Sequence, residues 1–430
     1  MDGRTTRKTA ILLVLSMLLA GCMGGAETEA IEGCTDELAS NFDETADQDD
    51  GSCVYPDSDG DGIYDFDEVA GCTNPEAYNY DDTATDDDES CEIPWISEYG
   101  INWVEHDGGE GCECSDGSDW TFWSRNADPS RVILYFQGGG ACWEDQSCDT
   151  VGGTFKQTVH DDDPSIGSEI GEQGFDIYTL KQYGIGNFRN ADNPIADWSW
   201  IYIPYCTGDV HLGSKTGEYS DSTIQHSGHN NSQFAYNFML ENYPDAETIL
   251  VTGSSAGSIP APLYGALVAV DYPDAQVLVF NDGSDGLFTN ETFDFYDIWN
   301  MNDTMLDFPG SNELNFNKMD SGDLIIYTHS IDNSVRFARF SDSNDETMRF
   351  FGALLGNDIT LEYRDSVLAS EQKVEDSGIE LSGYMTGGDG HTILLSDRFF
   401  TLETEGVSFL DWFTAWIEGD NVEDVHCTDC

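Results

Sequence analysis

The sequence predicts an α/β fold, a mostly parallel sheet with helices on both faces, joined to a small N-terminal repeat region. Three observations carry this. Apolar runs of strand length at 131–136, 199–204, 248–252, 276–281 and 324–328 alternate with helical stretches at 232–243, 260–270 and 409–418, the pattern of strand–helix–strand units. With 39% apolar and 12% aromatic residues in 430, the chain can bury one large core and still carry an appendage. Finally, Gly253-Ser254-Ser255-Ala256-Gly257 stands directly behind the run 248–252, so a strand, a sharp turn around a serine and a helix follow one another.

The elements from Trp95 onward are longer apolar runs spaced by glycine-rich turns, which puts a domain boundary near residue 94. Pro260 and Pro262 are compatible with a helix at 260–270 because they fall in its first turn, where a missing N–H breaks no bond.

Ahead of that boundary the chain reads in two parts. Arg4, Arg7 and Lys8 precede an apolar stretch at 10–20, a secretory signal too short to be read as a membrane span. It ends in Leu19-Ala20-Gly21-Cys22, which resembles a lipoprotein signal box. Residues 1–22 are therefore expected to be a signal segment, with cleavage before Cys22, lipid on its thiol, and a protein anchored to the outer face of the cell membrane. No other stretch approaches the ~20 apolar residues of a spanning helix.

Residues 23–94 hold two copies of one module 38 residues apart: Gly33-Cys34-Thr35 through Cys53 recurs as Gly71-Cys72-Thr73 through Cys91. The cysteines in each copy stand 19 apart, so the simplest pairing is Cys34 with Cys53 and Cys72 with Cys91; pairing between copies is the alternative. Asp57 to Glu68 lies between the cysteine pairs and matches the twelve-residue calcium loop, similar to thrombospondin type 3 repeats. Asp57, Asp59, Asp61, Asp65 and Glu68 would supply hard oxygens, Ile63 its carbonyl, and Gly62 the bend. Calcium would then stiffen a stalk, with a structural and not a catalytic role.

Charge excludes some functions. Against 83 acidic side chains stand 16 basic ones, a formal charge of −67, which makes nucleic-acid binding through a basic patch untenable and points to a saline medium. Twelve cysteines in an exported chain imply disulfides. Setting Cys22 aside leaves eleven, an odd number, so at least one thiol lacks a partner within the chain.

A serine hydroxyl needs a base, and the base an orienting acid. His391, in the glycine-rich segment 386–392 near the C-terminus, is the expected base. Asp332, in the turn after the run 324–328, is the expected acid, with Asp282 and Asp285 behind the preceding strand as competitors. Gly138-Gly139-Gly140 follows the first long strand and can turn amides toward a substrate carbonyl. Together with the amide of Ala256 it would form an oxyanion hole, in which one donor is worth ~3 kcal/mol. Cys142 and Cys148 can close a short disulfide that steadies this loop.

Four blocks now stand in order: Cys114-Ser115-Asp116-Gly117-Ser118, Gly138-Gly139-Gly140-Ala141-Cys142-Trp143, Gly253-Ser254-Ser255-Ala256-Gly257 and Gly390-His391-Thr392. With segments 203–206 and 226–230 they resemble the pectin acetylesterase family, which includes Notum-like carboxylesterases, over roughly residues 95–420. The resemblance implies an α/β-hydrolase domain from residue 95 to the C-terminus. It also implies Ser255 as nucleophile, Asp332 as acid, His391 as base, and amides of Gly139, Gly140 and Ala256 around the oxyanion. Ser258 stands where the family usually has glycine. Gly140 stands where the lipid-cleaving branch has tryptophan, so a lipid-type pocket is not implied. His226 and His229 read as structural or pocket-lining.

The expected protein is a secreted serine carboxylesterase, acting as a monomer without a catalytic cofactor on O-acetylated polysaccharide. Two other readings are an inactive surface adhesion protein and a lipase or polyester depolymerase with the same triad.

Overall fold

A computed structural model describes residues 30–56, 63–73, 80–81, 83–87, 103–159, 183–285, 293–356, 363–428 and 430. The signal segment with Cys22, the ligands Asp57, Asp59 and Asp61, Cys91 and the boundary near residue 94 all lie outside the described residues.

These residues fall into two compact units: one ends at Gly71 and takes in Thr83–Asp87, and the other holds Cys72–Asp82 and Asp88–Cys430. In the first unit β1 (Glu32–Gly33) runs parallel to β2 (Gln48–Asp49). The Cys34–Cys53 disulfide closes this repeat, as the spacing predicts. Thirty-eight residues on, β3 (Ala70–Gly71) pairs β4 (Asp86–Asp87) in the same parallel fashion. Cys72, in the second unit, is also disulfide-bonded.

The second unit is built on a sheet. Its strands are β5 (Val104–Asp107), β6 (Thr121–Arg125), β7 (Asp128–Phe136) and β8 (Trp198–Ile203); then, beyond a hairpin of β9 (Lys215–Glu218) and β10 (Thr223–His226), β11 (Thr248–Ser254), β12 (Gln276–Asp282), β13 (Arg336–Asp342) and β14 (Leu381–Thr386). A hairpin of β15 (Glu403–Thr404) and β16 (Val407–Ser408) precedes the last strand, β17 (Val425–His426). Among the described residues the spatial order is β17-β14-β13-β12-β11-β7-β8-β6-β5. From β17 to β8 every pairing is parallel; β6 and β5 add on antiparallel.

Side-chain alternation explains why the central strands are continuously apolar. Val132, Leu134, Phe136, Ile249, Val251, Val277 and Val279 belong to one core. Their neighbours Ile133, Tyr135, Leu250, Leu278 and Phe280 belong to another, as expected of a parallel sheet buried on both sides. Helices α1 (Gly228–Asn242), α2 (Ala261–Asp271) and α3 (Ser321–Ile331) contribute to the first core. After α4 (Glu346–Leu354) and α5 (Tyr363–Asp376), α6 (Phe409–Ile417) contributes Phe409, Trp412, Phe413 and Trp416 to the second. Both faces are thus covered, which makes the fold an α/β-hydrolase-like one.

One expected strand is a helix. Residues 324–328 sit inside α3, whose start is set by a capping box in which Asp320 accepts from the Asp323 amide at 3.0 Å and Asp323 accepts from the Asp320 amide at 3.0 Å. The strand is β13, a few residues on. Its apolar pattern is broken by Arg336 and Arg339, and Arg339 is buried where it pairs with Asp285 at 3.4 Å and Glu371 at 3.1 Å. Other cations are also taken up by the fold: Arg125 is buried 4.0 Å above the Phe188 ring, Arg398 holds Asp342 through both terminal guanidinium nitrogens, and Lys373 bridges Asp320 and Asp323.

Cys142–Cys148 forms as expected, and Cys114–Cys206 and Cys427–Cys430 accompany it. Cys112 is the free thiol among the described residues. No helix among the described residues is long and apolar enough to cross a membrane.

Candidate active site

Parallel strands present their carboxyl ends on one edge, and the chemistry-bearing residues collect there. β11 ends at Ser254, and Ser255 follows with φ +54°, a left-handed conformation that a non-glycine residue adopts at a cost. The flanking glycines explain how the chain tolerates it. A Cβ on Gly253 would strike the carbonyl oxygens of Gly257 and Phe136, and one on Gly257 would strike Phe136 as well. Ser255 is 6% exposed and lines a cavity together with Gly140 and Ala256.

Gly139 and Gly140 both have positive φ, +158° and +75°. A Cβ on Gly138 would collide with the Ser254 carbonyl, and one on Gly140 with the Thr154 carbonyl, so glycine is required for this loop to lie against the serine turn. The Gly139 carbonyl accepts from Lys156 N at 2.9 Å and Ala141 N donates to Thr154 O at 3.1 Å. These bonds tie down the loop on either side of the Gly140 amide. The Cys142–Cys148 disulfide and a bond from Trp299 Nε1 to the Cys142 carbonyl at 3.0 Å brace its far end.

His391 lies on the loop after β14. Its Nδ1 is 2.6 Å from Asp345 Oδ2, and its Nε2 is buried with no protein partner among the described residues. Because a carboxylate only accepts, the proton of this bond belongs to Nδ1, and a neutral ring then leaves Nε2 as the acceptor. Asp345 is fully buried and caps α4, its Oδ1 accepting from Met348 N at 2.9 Å. The loops after β13 and β14 are zipped together by Ser343 N to Thr386 O and Asn344 N to Gly388 O, both 2.9 Å.

Asp332 does not join this group, which corrects the sequence-based choice of acid. It follows a helix and precedes β13, so it stands at the amino edge of the sheet, opposite the serine and histidine. Its carboxylate accepts from Ser334 Oγ at 2.7 Å and Ser334 N at 2.8 Å, which hold its pKa below the usual value. The competitors named with it are placed otherwise too: Asp285 pairs with Arg339, and Asp282 accepts from Ser254 Oγ. Chain order still runs serine, aspartate, histidine, with Asp345 as the middle member. The signal that could have found Asp345 is Ser343-Asn344-Asp345-Glu346, a helix-capping pattern directly behind a strand.

His226 bonds Thr207 O and Tyr219 OH, and His229 bonds Asp307. Burial lowers the pKa of both rings, and neither lines the cavity. Ser258, the departure from the glycine expected there, is put to use: its Oγ accepts from Asp282 N at 3.2 Å and touches Ser284 Oγ.

The cavity in front of Ser255 has a volume of about 90 Å³. Its walls include Trp143, Val210, Phe295, Trp299, Phe316 and Phe351, an apolar surface beside a strained serine.

A carboxylic-ester hydrolase is the class that this fold defines once its sequence relationship is added. The family model described as Pectinacetylesterase, a family of esterases that deacetylate polysaccharides, matches residues 97–303 of the chain. The match takes in both glycine blocks and Ser255, and ends before Asp345 and His391. No curated protein matches the chain.

Proposed function

We propose that the protein hydrolyses carboxylic esters through an acyl-enzyme on Ser255, with O-acetylated polysaccharide as the leading substrate. The observation carrying this reading is the strained Ser255 facing a cavity at the sheet edge where Asp345 holds the His391 ring with Nε2 unpartnered. His391 Nε2 takes the Ser255 proton as Oγ attacks the carbonyl carbon. Amides of Gly139, Gly140 and Ala256 receive the charge that develops on the carbonyl oxygen. His391 returns the proton to the departing alcohol, and water, activated by the same nitrogen, releases the acid and regenerates Ser255.

A second reading is favoured by the cavity. Its aromatic walls offer more apolar surface than an acetyl group can cover, so an acyl group of several carbons would gain ~0.8 kcal/mol per buried CH₂. On that basis p-nitrophenyl butyrate is expected to show a kcat/KM about tenfold above the acetate ester. A profile that is flat or falls from acetate onward would leave acetate as the acyl group of choice.

For the acidic N-terminal loop we propose structural calcium, on the register of Asp57, Asp59, Asp61, Ile63, Asp65 and Glu68. Calorimetry of the whole protein should show saturable heat with calcium chloride that is absent from Asp57→Ala. Equal heats from both proteins would dismiss the site.

A further inference from the structure

We propose that Asp282 is a positioning residue for the reaction, its carboxylate locking the turn that carries Ser255 and the loop that carries His391 into one frame. The inference rests on the reading of Ser255 and His391 given above. Asp282 ends β12, the neighbour of the serine strand, and is fully buried. Its Oδ2 accepts from Ser254 Oγ at 2.7 Å and from Leu394 N at 3.1 Å, and its Oδ1 from Ile393 N at 2.9 Å. One carboxylate therefore grips the residue before the nucleophile and the two amides that lie two and three residues beyond the base.

The surrounding bonds continue the same lock. Ser254 Oγ has one proton, given to Asp282, so the 2.7 Å bond with Tyr135 OH is donated by the tyrosine. Behind the nucleophile, Asp282 N reaches Ser258 Oγ at 3.2 Å and Asn281 Nδ2 reaches Ser258 O at 2.9 Å. Gly283 has φ +68°, and the position its Cβ would occupy is 2.5 Å from the His391 carbonyl oxygen. Residues 281–283 thus hold the serine turn from both sides and receive the histidine loop on top.

The choice of an acid over its amide is informative. Among the described residues no lysine or arginine pairs with the carboxylate; the charged or titratable groups bearing on it there are Tyr135, His391 and Arg398. Burial pushes its pKa up to about 6, against the bonds from Ser254, Ile393 and Leu394. A buried charge is costly unless its acceptors are used, and here both oxygens face N–H groups. Asparagine keeps the shape but has one acceptor oxygen, so its NH₂ would point at a loop amide and push the loop away.

The test uses the whole protein at pH 8, with Asp282→Asn and, as a milder change, Ser254→Ala, which cuts the link from Asp282 to the serine turn together with the Tyr135 bond and spares the bonds to the Ile393 and Leu394 amides. Displacing a reacting group by ~1 Å costs about 10²-fold, so Asp282→Asn is expected to lower kcat on a p-nitrophenyl ester about 100-fold with KM nearly unchanged. Ser254→Ala should lose about tenfold. The independent readout is the low-field proton resonance of the His391–Asp345 bond, assigned by its loss in His391→Ala. It is expected to shift or broaden in Asp282→Asn. An unmoved resonance overturns the proposal whatever the activity, and so does an unchanged kcat. If the wild-type protein cleaves no ester, the reading of the site fails, while the resonance still decides whether Asp282 sets the geometry of His391. Should Asp282→Asn not fold, the same two readouts on Ser254→Ala decide, with kcat unchanged from wild type counting against the lock.

Discussion

Ser255→Ala is expected to lower kcat for a p-nitrophenyl ester by about 10⁴- to 10⁶-fold and to abolish labelling by a fluorophosphonate. The size follows from the loss of the covalent route: without Oγ no acyl-enzyme forms, and only binding and the oxyanion amides remain to assist water. The change itself is small. Alanine removes one buried oxygen from a turn whose shape is set by Gly253 and Gly257 against the Phe136 carbonyl, so the thermal midpoint should stay close to wild type. The measurement is a rate and a gel of labelled protein. Wild-type rates in Ser255→Ala would remove the serine from the chemistry, and undiminished biological activity in the same variant would support the adhesion reading.

Asp345→Asn is the second large effect, about 10⁴-fold in kcat. An amide at Oδ2 would present N–H to Nδ1, favouring the tautomer with the proton on Nε2, the wrong nitrogen for accepting from Ser255. The paired control is Asp332→Asn, expected to stay within about twofold because its carboxylate accepts from Ser334 at the far edge of the sheet, away from Ser255 and His391. The ratio of the two variants distinguishes the acid found in the structure from the one that chain position suggested. Equal losses, or a larger loss at Asp332, would reverse the assignment.

The difference between those two aspartates shows what a sequence of this kind reveals. Strands with uninterrupted apolar runs were legible, as were the serine turn, because Gly253 and Gly257 meet backbone atoms, and the Cys142–Cys148 pair across its short loop, whereas Cys34–Cys53 was the simplest pairing with pairing between copies left open. The strand carrying the acid was not. Arg336 and Arg339 interrupt its pattern, and the stabilising partners of Arg339, Asp285 and Glu371, come from distant parts of the chain. The run 324–328 took its place because apolar content alone does not separate a short strand from a helix; the capping box of Asp320 and Asp323 decides for helix. Asp282 was in view as a competitor for the acid, but its contacts to Ser254 and to residues 393–394 depend on tertiary folding that no local pattern encodes.

The engagement of the few cations bears on how substrate arrives. Of only 16 lysines and arginines, Arg125 and Arg339 are sealed inside the sheet unit and Arg398 and Lys373 are occupied by its own carboxylates. Among the described residues Asp209, Asp282, Asp285, Asp320, Asp342, Asp345 and Glu371 are buried as well, so the solvent-facing shell stays strongly negative, as the sequence total of −67 implies. A polyuronate freed of its esters would be repelled by such a shell in fresh water, over distances that shrink to under a nanometre once salt reaches ~0.15 M. Were the substrate an anionic polymer, dissolved salt would therefore take part in the encounter, allowing it to approach and letting each deacylated stretch drift off as the next is engaged.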